Sequence, residues 1–190
     1  MFIQTEDTPN PHALKFLLGV EILAQGTVFF HNIEEATNKS PLAANIFKIG
    51  NIQAVFYGKD FITITKSEDC KWDLIKSEIL MTIMDHIVSG LPILEESSNL
   101  SNNTNAAELS DIEKQIIEII DTRVRPSVAL DGGDIIYKSF ENGTVYLELR
   151  GACSGCPSSS ITLKNGIESM LQHFVPEVKS VEAVPSSQVE

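Results

Sequence analysis

The sequence predicts an α+β protein built from two small domains. Its 190 residues are 43% hydrophobic and 21% charged, which is ordinary for a chain with a packed core. Residues 95–110 are rich in Ser and Asn and have almost no large apolar side chains, so they predict a flexible linker. Short β-rich runs and amphipathic helical stretches occupy residues 1–94 and 111–190. We therefore expect an N-terminal and a C-terminal α+β domain with these bounds.

The N-terminal domain is predicted to combine a capped helix, a hairpin and a long helix. Ser40 and Pro41 are typical of the N-cap and first turn of a helix, here continuing over residues 42–49. Residues 51–57 and 61–65 are β-rich and are separated by a short turn, which predicts a hairpin. Apolar residues recurring every three or four positions predict a helix that ends before Gly90 and Pro92: Trp72, Ile75, Ile79, Ile83 and Ile87.

The C-terminal domain is predicted to have the order α-β-β-α-β, with a three-stranded sheet and the helices on one face. Asp111 is the expected cap of the first helix, and Pro126 is expected to stop it. Residues 135–140 and 144–150 are predicted strands, joined by a type I′ turn at Asn142 and Gly143. Residues 158–174 predict the second helix, and residues 178–184 predict the last strand. Alternation along the second strand predicts a wet face formed by Tyr146, Glu148 and Arg150.

Charge and cysteine content exclude several classes of protein. The formal net charge of −12 repels phosphate backbones and disfavours a nucleic-acid partner. The sequence has no apolar run of membrane-spanning length, so no membrane is expected. Three cysteines cannot form a disulfide framework, which favours a reducing compartment. We expect a cytoplasmic protein, with the mitochondrial matrix as the alternative for a processed chain.

The candidate site is the pair Cys153 and Cys156, because two intervening residues let both sulfurs point from one tight loop. This spacing suits a chelated metal ion, a redox disulfide or two ligands to an iron–sulfur cluster. The predicted helix begins directly after the pair, and its N-terminal dipole would favour thiolates. Gly151, Gly155 and Pro157 are expected to shape the loop.

Counting ligands favours a site shared between two chains. Tetrahedral zinc and 4Fe-4S clusters take about four ligands, and this domain offers two cysteines. His173 lies several turns along the helix, and Cys70 belongs to the other domain, where we expect a semi-exposed thiol with no role. Two copies related by a twofold axis would supply four cysteines. Such a shared site is easily dismantled, as a carrier requires.

Other polar residues are expected to have structural roles. His12, His31, His86 and His173 share no ligand spacing and are predicted to lie on the surface or in packing contacts. Asp131 and Asp134 flank two glycines and predict a turn. Arg123 and Arg125 are expected to be solvated charges at a helix C-terminus.

The C-terminal half resembles the Nfu domain of NifU-like proteins. The similar segments are residues 130–135, Leu-Asp-Gly-Gly-Asp-Ile, and residues 151–168, which open Gly-Ala-Cys-Ser-Gly-Cys-Pro. The N-terminal half is similar to the companion domain of mitochondrial and α-proteobacterial Nfu proteins, at residues 8–16, 40–43 and 61–66. Together these resemblances cover nearly the whole chain outside the linker.

The resemblance implies a late-acting iron–sulfur cluster carrier that is not an enzyme. Proteins of this family take a 4Fe-4S cluster, bind it between two subunits and transfer it to apo-proteins such as lipoyl synthase or aconitase-type enzymes. By the resemblance, Cys153 and Cys156 are the cluster ligands, a 2Fe-2S cluster is the alternative cargo, and an upstream assembly scaffold is the donor.

Two other functions compete for the same cysteines. A thioredoxin-like oxidoreductase would cycle Cys153 and Cys156 as a monomer, because that fold also places its CxxC where a strand meets a helix. The preceding antiparallel hairpin argues against it, since a βαβ unit is expected there. A structural zinc site is the other alternative.

Overall fold

The computed structural model describes residues 3–95, 109–154 and 157–184. The chain divides into two compact units, residues 1–101 and residues 102–190. Most of the predicted linker lies outside the described residues, so its bounds stay a prediction. No helix in the described ranges is both long enough and apolar enough to cross a membrane.

Within residues 3–95 the strands form one antiparallel sheet in the order β1-β2-β5-β4-β3. The strands are β1 (Gln4–Asp7), β2 (Ala13–Leu17), β3 (Val28–Phe30), β4 (Ile52–Tyr57) and β5 (Phe61–Lys66). Neighbouring strands run antiparallel throughout, as the Cα partners Phe16↔Ile62 and Val55↔Ile64 show. The predicted hairpin is confirmed as β4–β5.

Three helices accompany this sheet: α1 (Ile33–Thr37), α2 (Pro41–Lys48) and α3 (Trp72–Val88). Ser40 caps α2 as predicted, because its side chain accepts a hydrogen bond from the Ala43 N–H. The same hydroxyl lies 2.8 Å from the hydroxyl of the buried Tyr57, which joins the helix start to β4. The inward side of α3 packs on the core through Ile75, Ile79 and Ile83.

The C-terminal unit begins with a helix that differs from its prediction at both ends. It runs as α4 (Asp111–Ile119), a π-helical turn (Ile120–Val124) and α5 (Arg125–Leu130). Ser110, not Asp111, is the N-cap, and a reciprocal capping box with Glu113 holds it there. Pro126 does not stop the helix. The π turn, in which the Arg125 N–H donates to the Ile120 carbonyl five residues back, changes the register where proline would otherwise break an α-helix.

The rest of this unit comprises β6 (Gly133–Glu141), β7 (Thr144–Gly151), α6 (Pro157–Phe174) and β8 (Ser180–Val184). Asn142 and Gly143 both have positive φ, +54° and +91°, which confirms the predicted turn between β6 and β7. The sheet order is β6-β7-β8. Strand β8 runs parallel to β7, so β7, α6 and β8 form a βαβ unit after the hairpin.

Both long helical segments of the C-terminal unit pack on one face of this sheet, as predicted. Buried side chains from α4 and its π turn meet those of β7 and α6 in a single core, which includes Ile116, Ile120, Leu147, Ile167 and Leu171. The fold class is therefore α+β, with the end of β7 brought to the start of α6.

Candidate metal centre

Cys153 lies in the turn between β7 and α6, as predicted. Gly151 ends the strand with a φ of +64°, a conformation that favours glycine. The Ser154 N–H then donates to the Gly151 carbonyl at 3.0 Å, which tightens the turn. The Cys153 side chain is only 7% exposed and belongs to the core of the C-terminal unit. Gly155 and Cys156 lie outside the described residues, so the position of the second sulfur stays a prediction.

Gly133 packs closely against this thiol. A Cβ built on Gly133 would lie 2.6 Å from Cys153 Sγ and 2.7 Å from the Arg150 carbonyl oxygen. Neither distance is possible for a real side chain, so only glycine fits here while Cys153 keeps this position. The neighbouring Gly132 accepts a hydrogen bond from the Ala152 N–H at 3.1 Å.

Gly132 and Gly133 were both predicted to lie in a turn, and the structure confirms this only for Gly132. Gly132, with a φ of +81°, turns the chain after α5, whereas Gly133 is already paired with Gly151 in the sheet. The role of Gly133 beside Cys153 was missed. A glycine at the start of a strand indicates a close approach by another part of the chain, and this signal could have found it.

The Asp134 carboxylate, next to Gly133, forms a forked ion pair with Arg125. Arg125 Nε and Nη2 donate to the two carboxylate oxygens at 2.9 and 3.1 Å, and Nη1 donates to Asp121 at 3.0 Å. The hydrogen bonds to Asp134 raise the pKa of Arg125 despite partial burial. The prediction of Arg125 as a solvated C-terminal charge is therefore wrong, because the helix continues past it. This pair holds α5 against the strand that contains Gly133.

Glu148 is also placed differently from its prediction. It was expected on a wet face, yet its side chain is 2% exposed, because Lys138 and Arg150 cover it. Arg150 Nε donates to Glu148 Oε1 at 2.6 Å. Burial raises the pKa of Glu148, but the hydrogen bonds and charges of Arg150 and Lys138 outweigh burial and leave that pKa below its ordinary value.

Arg150 and Lys164, two cations close to the cysteines in the sequence, each pair with a carboxylate. Arg150 contacts Glu148, and Lys164 Nζ donates to Glu182 at 2.9 Å. Arg123 lies over the ring of Phe174, 4.5 Å from its centroid.

Cys70 is buried, contrary to the expectation of a semi-exposed thiol. It is 8% exposed and packs in the core of the N-terminal unit, next to the start of α3. Apolar neighbours cover it because the chain turns inward there before the helix begins. A thiol in this position cannot ligate a metal without opening that core.

The histidines make packing contacts or local hydrogen bonds, as predicted. His31 packs edge-on against Phe29, His173 packs edge-on against Phe174, and His86 is on the buried side of α3. His12 Nδ1 lies 3.3 Å from the amino group of Lys66. Across the described residues, no group of three or more His, Cys, Asp or Glu side chains could hold a metal ion.

Two family matches cover most of the chain. Residues 3–90 match "Scaffold protein Nfu/NifU N terminal", and residues 116–182 match "NifU-like domain". Cys153 and the α6 N-terminus lie in the second match. The fold and the cysteine loop therefore fall in the class of Nfu/NifU scaffold domains.

Individual relatives agree with these matches. The chain is 50% identical over 184 residues to "NFU1 iron-sulfur cluster scaffold homolog, mitochondrial" of Drosophila willistoni, covering 97% of this chain and 64% of that protein. The Homo sapiens protein of the same name is 50% identical over 185 residues, covering 97% of this chain and 72% of that protein. The chain thus spans about two thirds of the length of these relatives. It belongs to the Nfu family of iron–sulfur cluster scaffold proteins.

Among solved structures, similarity is found to the solution NMR structure of a NifU-like protein from Saccharomyces cerevisiae. The identity is 31%, with a TM-score of 0.46, over 50% of this chain and 86% of that chain. The names of the Drosophila and human relatives include the word mitochondrial, which fits the alternative compartment. The comparisons do not support the cytoplasmic expectation.

Proposed function

We propose that this chain is a carrier for iron–sulfur clusters, with Cys153 and Cys156 as the ligands it contributes. The cargo is a 4Fe-4S cluster, or a 2Fe-2S cluster as the alternative, held between two copies. The main supporting observation is the position of Cys153, in a glycine-shaped turn that leads directly into the N-terminus of α6. We propose that it is not an enzyme, because the relatives it matches are named as scaffold proteins.

Burial of Cys70 strengthens the argument for two copies. The whole sequence has three cysteines, and the third is sealed in the core of the N-terminal unit. Cys153 is equally buried, but it lies in a turn that begins at Gly151 and would open, so Cys153 and Cys156 are the two cysteines left for a cluster that takes about four ligands. A second copy would supply the missing pair, and the shared site would be symmetric.

Burial of Cys153 indicates how loading would begin. A thiol that is 7% exposed cannot bond to iron shared with another chain until its turn moves outward. Gly151 and Gly155 give the backbone of this turn unusual freedom. Without cargo the sulfur is sheltered against Gly133, and with cargo it would face the second copy.

Release of the cluster would proceed by exchange of thiolate ligands. A recipient thiol loses its proton as it bonds to iron, and the displaced Cys153 or Cys156 thiolate gains one, so neither electrons nor cluster atoms are lost. Recipients of the lipoyl synthase or aconitase type and an upstream assembly scaffold are expected from the family resemblance. A nucleic-acid partner is disfavoured by the net charge of −12. We propose the mitochondrial matrix as the compartment, from the names of the relatives.

A dithiol oxidoreductase remains the second candidate, and one observation favours it. The CxxC lies between β7 and α6, and β8 returns parallel to β7, so the βαβ unit expected of a thioredoxin-like protein follows the hairpin. In that function Cys153 and Cys156 would lose two electrons and two protons to an oxidised partner and form a disulfide. No second copy would be required.

Anaerobic reconstitution with iron and sulfide separates these functions. The carrier is expected to develop a broad absorption band near about 400 nm and to bind about two irons per chain for a shared 4Fe-4S cluster. Cys153→Ser and Cys156→Ser should each abolish iron binding, and Cys70→Ser is the matched control that should retain it. A colourless protein that reduces a disulfide substrate would instead establish the oxidoreductase. Iron loss in the Cys70 variant alone would refute the assignment of the ligands.

A further inference from the structure

Helix α3 has an apolar stripe on the side that faces away from its own core. Leu74, Met81 and Val88 are 74%, 66% and 76% exposed, and Met84 is 37% exposed. These positions are separated by seven, three and four residues, which places them on one side of an α-helix. Leu91, 53% exposed, follows three residues later, just beyond the helix end. We call these five residues the outer stripe.

The core of the N-terminal unit does not account for the outer stripe. The buried residues of α3 are Ile75, Ile79, Ile83 and His86, on the opposite side of the helix. Single exposed apolar residues are normal, but a row of them along one helix is typical of a binding surface. The inward apolar side of α3 packs on the core of the N-terminal unit, and the outer stripe has no part in that core.

An acidic groove of about 390 Å³ runs beside the outer stripe, between α2 and α3. Its lining includes the carboxylates of Glu78 and Asp85, the His86 ring and Leu91 of the stripe. Glu78 and Asp85 are seven residues apart, so they lie along the same edge of the helix. Lys48 also lines the groove, where its amino group donates to Asn45 at 3.0 Å, so the two carboxylates outnumber one cation.

His86 also lines the groove. The residue is 4% exposed, and its Nε2–H donates a hydrogen bond to the Pro92 carbonyl at 3.1 Å. The neutral ring then has an acceptor at Nδ1, and this buried atom has no hydrogen-bond partner among the described residues. Buried polar atoms are normally paired. The carboxylates of Glu78 and Asp85 are the groups of the groove that favour a ligand with N–H groups.

A second copy of the chain fits this surface poorly. If two α3 helices paired antiparallel about a twofold axis, each edge of the stripe would face the same edge of its partner. Glu78 and Asp85 would then lie opposite their own copies, and like charges at that spacing repel. A partner with positive charge beside its apolar side chains removes this conflict.

We infer that the outer stripe and the acidic groove bind a basic amphipathic segment of another protein. Its apolar side chains would cover Leu74, Met81, Met84 and Val88, and a Lys or Arg would enter the groove beside Glu78 and Asp85. The helix-in-groove mode uses this spacing of anchors. The site lies in the N-terminal unit and does not depend on the proposed cluster function.

The probe is a synthetic helical peptide of about 18 residues in which Leu recurs with helical spacing and Lys fills the other positions. A scrambled peptide of identical composition controls for attraction to the acidic chain. We expect the full-length chain to bind the patterned peptide at least about tenfold more tightly than the scrambled one, by fluorescence anisotropy at physiological salt. The double variant Met81→Lys/Val88→Lys should lose about tenfold or more of that affinity.

A control variant and a charge variant complete the test, with one variant in reserve. Val20→Lys replaces an apolar residue of the same unit that is 41% exposed, and it should bind as the wild type does. Glu78→Gln/Asp85→Asn should weaken binding severalfold, most strongly at low salt. If circular dichroism shows that Met81→Lys/Val88→Lys is unfolded, Leu74→Lys replaces it, and the same loss of affinity for the patterned peptide is expected. Equal affinity for the patterned and the scrambled peptide overturns the inference. A wild-type dimer that is dissociated by Met81→Lys/Val88→Lys also overturns it, because the stripe would then bind a second copy.

Discussion

Replacing Gly133 by alanine is expected to destabilise the C-terminal unit and expose Cys153. The new methyl group would lie 2.6 Å from Cys153 Sγ and 2.7 Å from the Arg150 carbonyl oxygen. The carbonyl is held in the β6–β7 ladder by the pairing of Gly133 with Gly151 and of Asp134 with Arg150. The thiol and its turn are therefore the parts that must move.

The magnitude follows from two opposing effects. Alanine restricts the unfolded chain more than glycine does, which would stabilise a strand position by about 0.5–1 kcal/mol. Overpacking a closely packed site costs about 1–3 kcal/mol. Because one of the two contacts is with backbone, we expect the overpacking cost to prevail, with a net loss of about 1–2 kcal/mol.

Two measurements on the full chain check this prediction. Hydrogen exchange of β6 and β7 amides reports the stability of the C-terminal unit separately from the other unit. Alkylation followed by peptide mass spectrometry reports access to Cys153, with the buried Cys70 as internal reference. Exchange on β6 and β7 should become faster in Gly133→Ala, and alkylation of Cys153 should increase severalfold while that of Cys70 is unchanged.

Gly166→Ala is the matched control. Gly166 lies within α6, and a Cβ built there has no heavy atom within 4 Å. Alanine should therefore stabilise the helix by about 0.5–1 kcal/mol. If Gly133→Ala stabilises the unit as Gly166→Ala does, with Cys153 no more reactive than in the wild type, the close contact is refuted.

Three further predictions concern charge. Asp134→Asn should cost about 1–3 kcal/mol because Arg125 loses its carboxylate partner, whereas Asp111→Asn, at a fully exposed carboxylate, should leave the unfolding temperature close to that of the wild type; thermal unfolding measures both. The folded pKa of Glu148 lies below its ordinary 4.5, so its stabilisation is complete above that value and is lost as pH falls through the folded pKa. In Glu148→Gln, the unfolding free energy should therefore fall less steeply as pH is lowered. An unfolding free energy that falls as steeply as in the wild type would contradict the buried ion pairs of Glu148 with Lys138 and Arg150. Because each chain has a net charge of −12, cluster-linked pairing should strengthen as salt rises from about 0.01 to 0.15 M, measured by sedimentation; weaker pairing at higher salt would contradict this.

Local signals predicted much of the fold. Ser40 with Pro41 located the start of α2, and Asn142 with Gly143 located the β6–β7 turn, because capping and positive φ depend on few neighbouring residues. Pro126 misled the prediction of the first C-terminal helix. A π turn before it changes the hydrogen-bond register, and no short sequence rule indicates such a turn.

The site was predictable where it is local and was missed where distant segments meet. The cysteine spacing located Cys153 between a strand and a helix. The contact of Gly133 with that thiol crosses from the start of β6 to the turn after β7, and the cover that Lys138 gives Glu148 crosses between the same two strands. Burial of Cys70 likewise depends on the tertiary packing of the N-terminal unit. The outer stripe of α3 was overlooked because the inward stripe of the same helix already explained its periodicity.

Native mass spectrometry of the anaerobically loaded wild-type protein tests whether two chains share one cluster. We expect a species of two chains and one cluster, which dissociates into single chains when a chelator removes the iron. The same measurement distinguishes a 4Fe-4S from a 2Fe-2S cargo by mass. A single chain that retains a complete cluster or a zinc ion would refute the shared site.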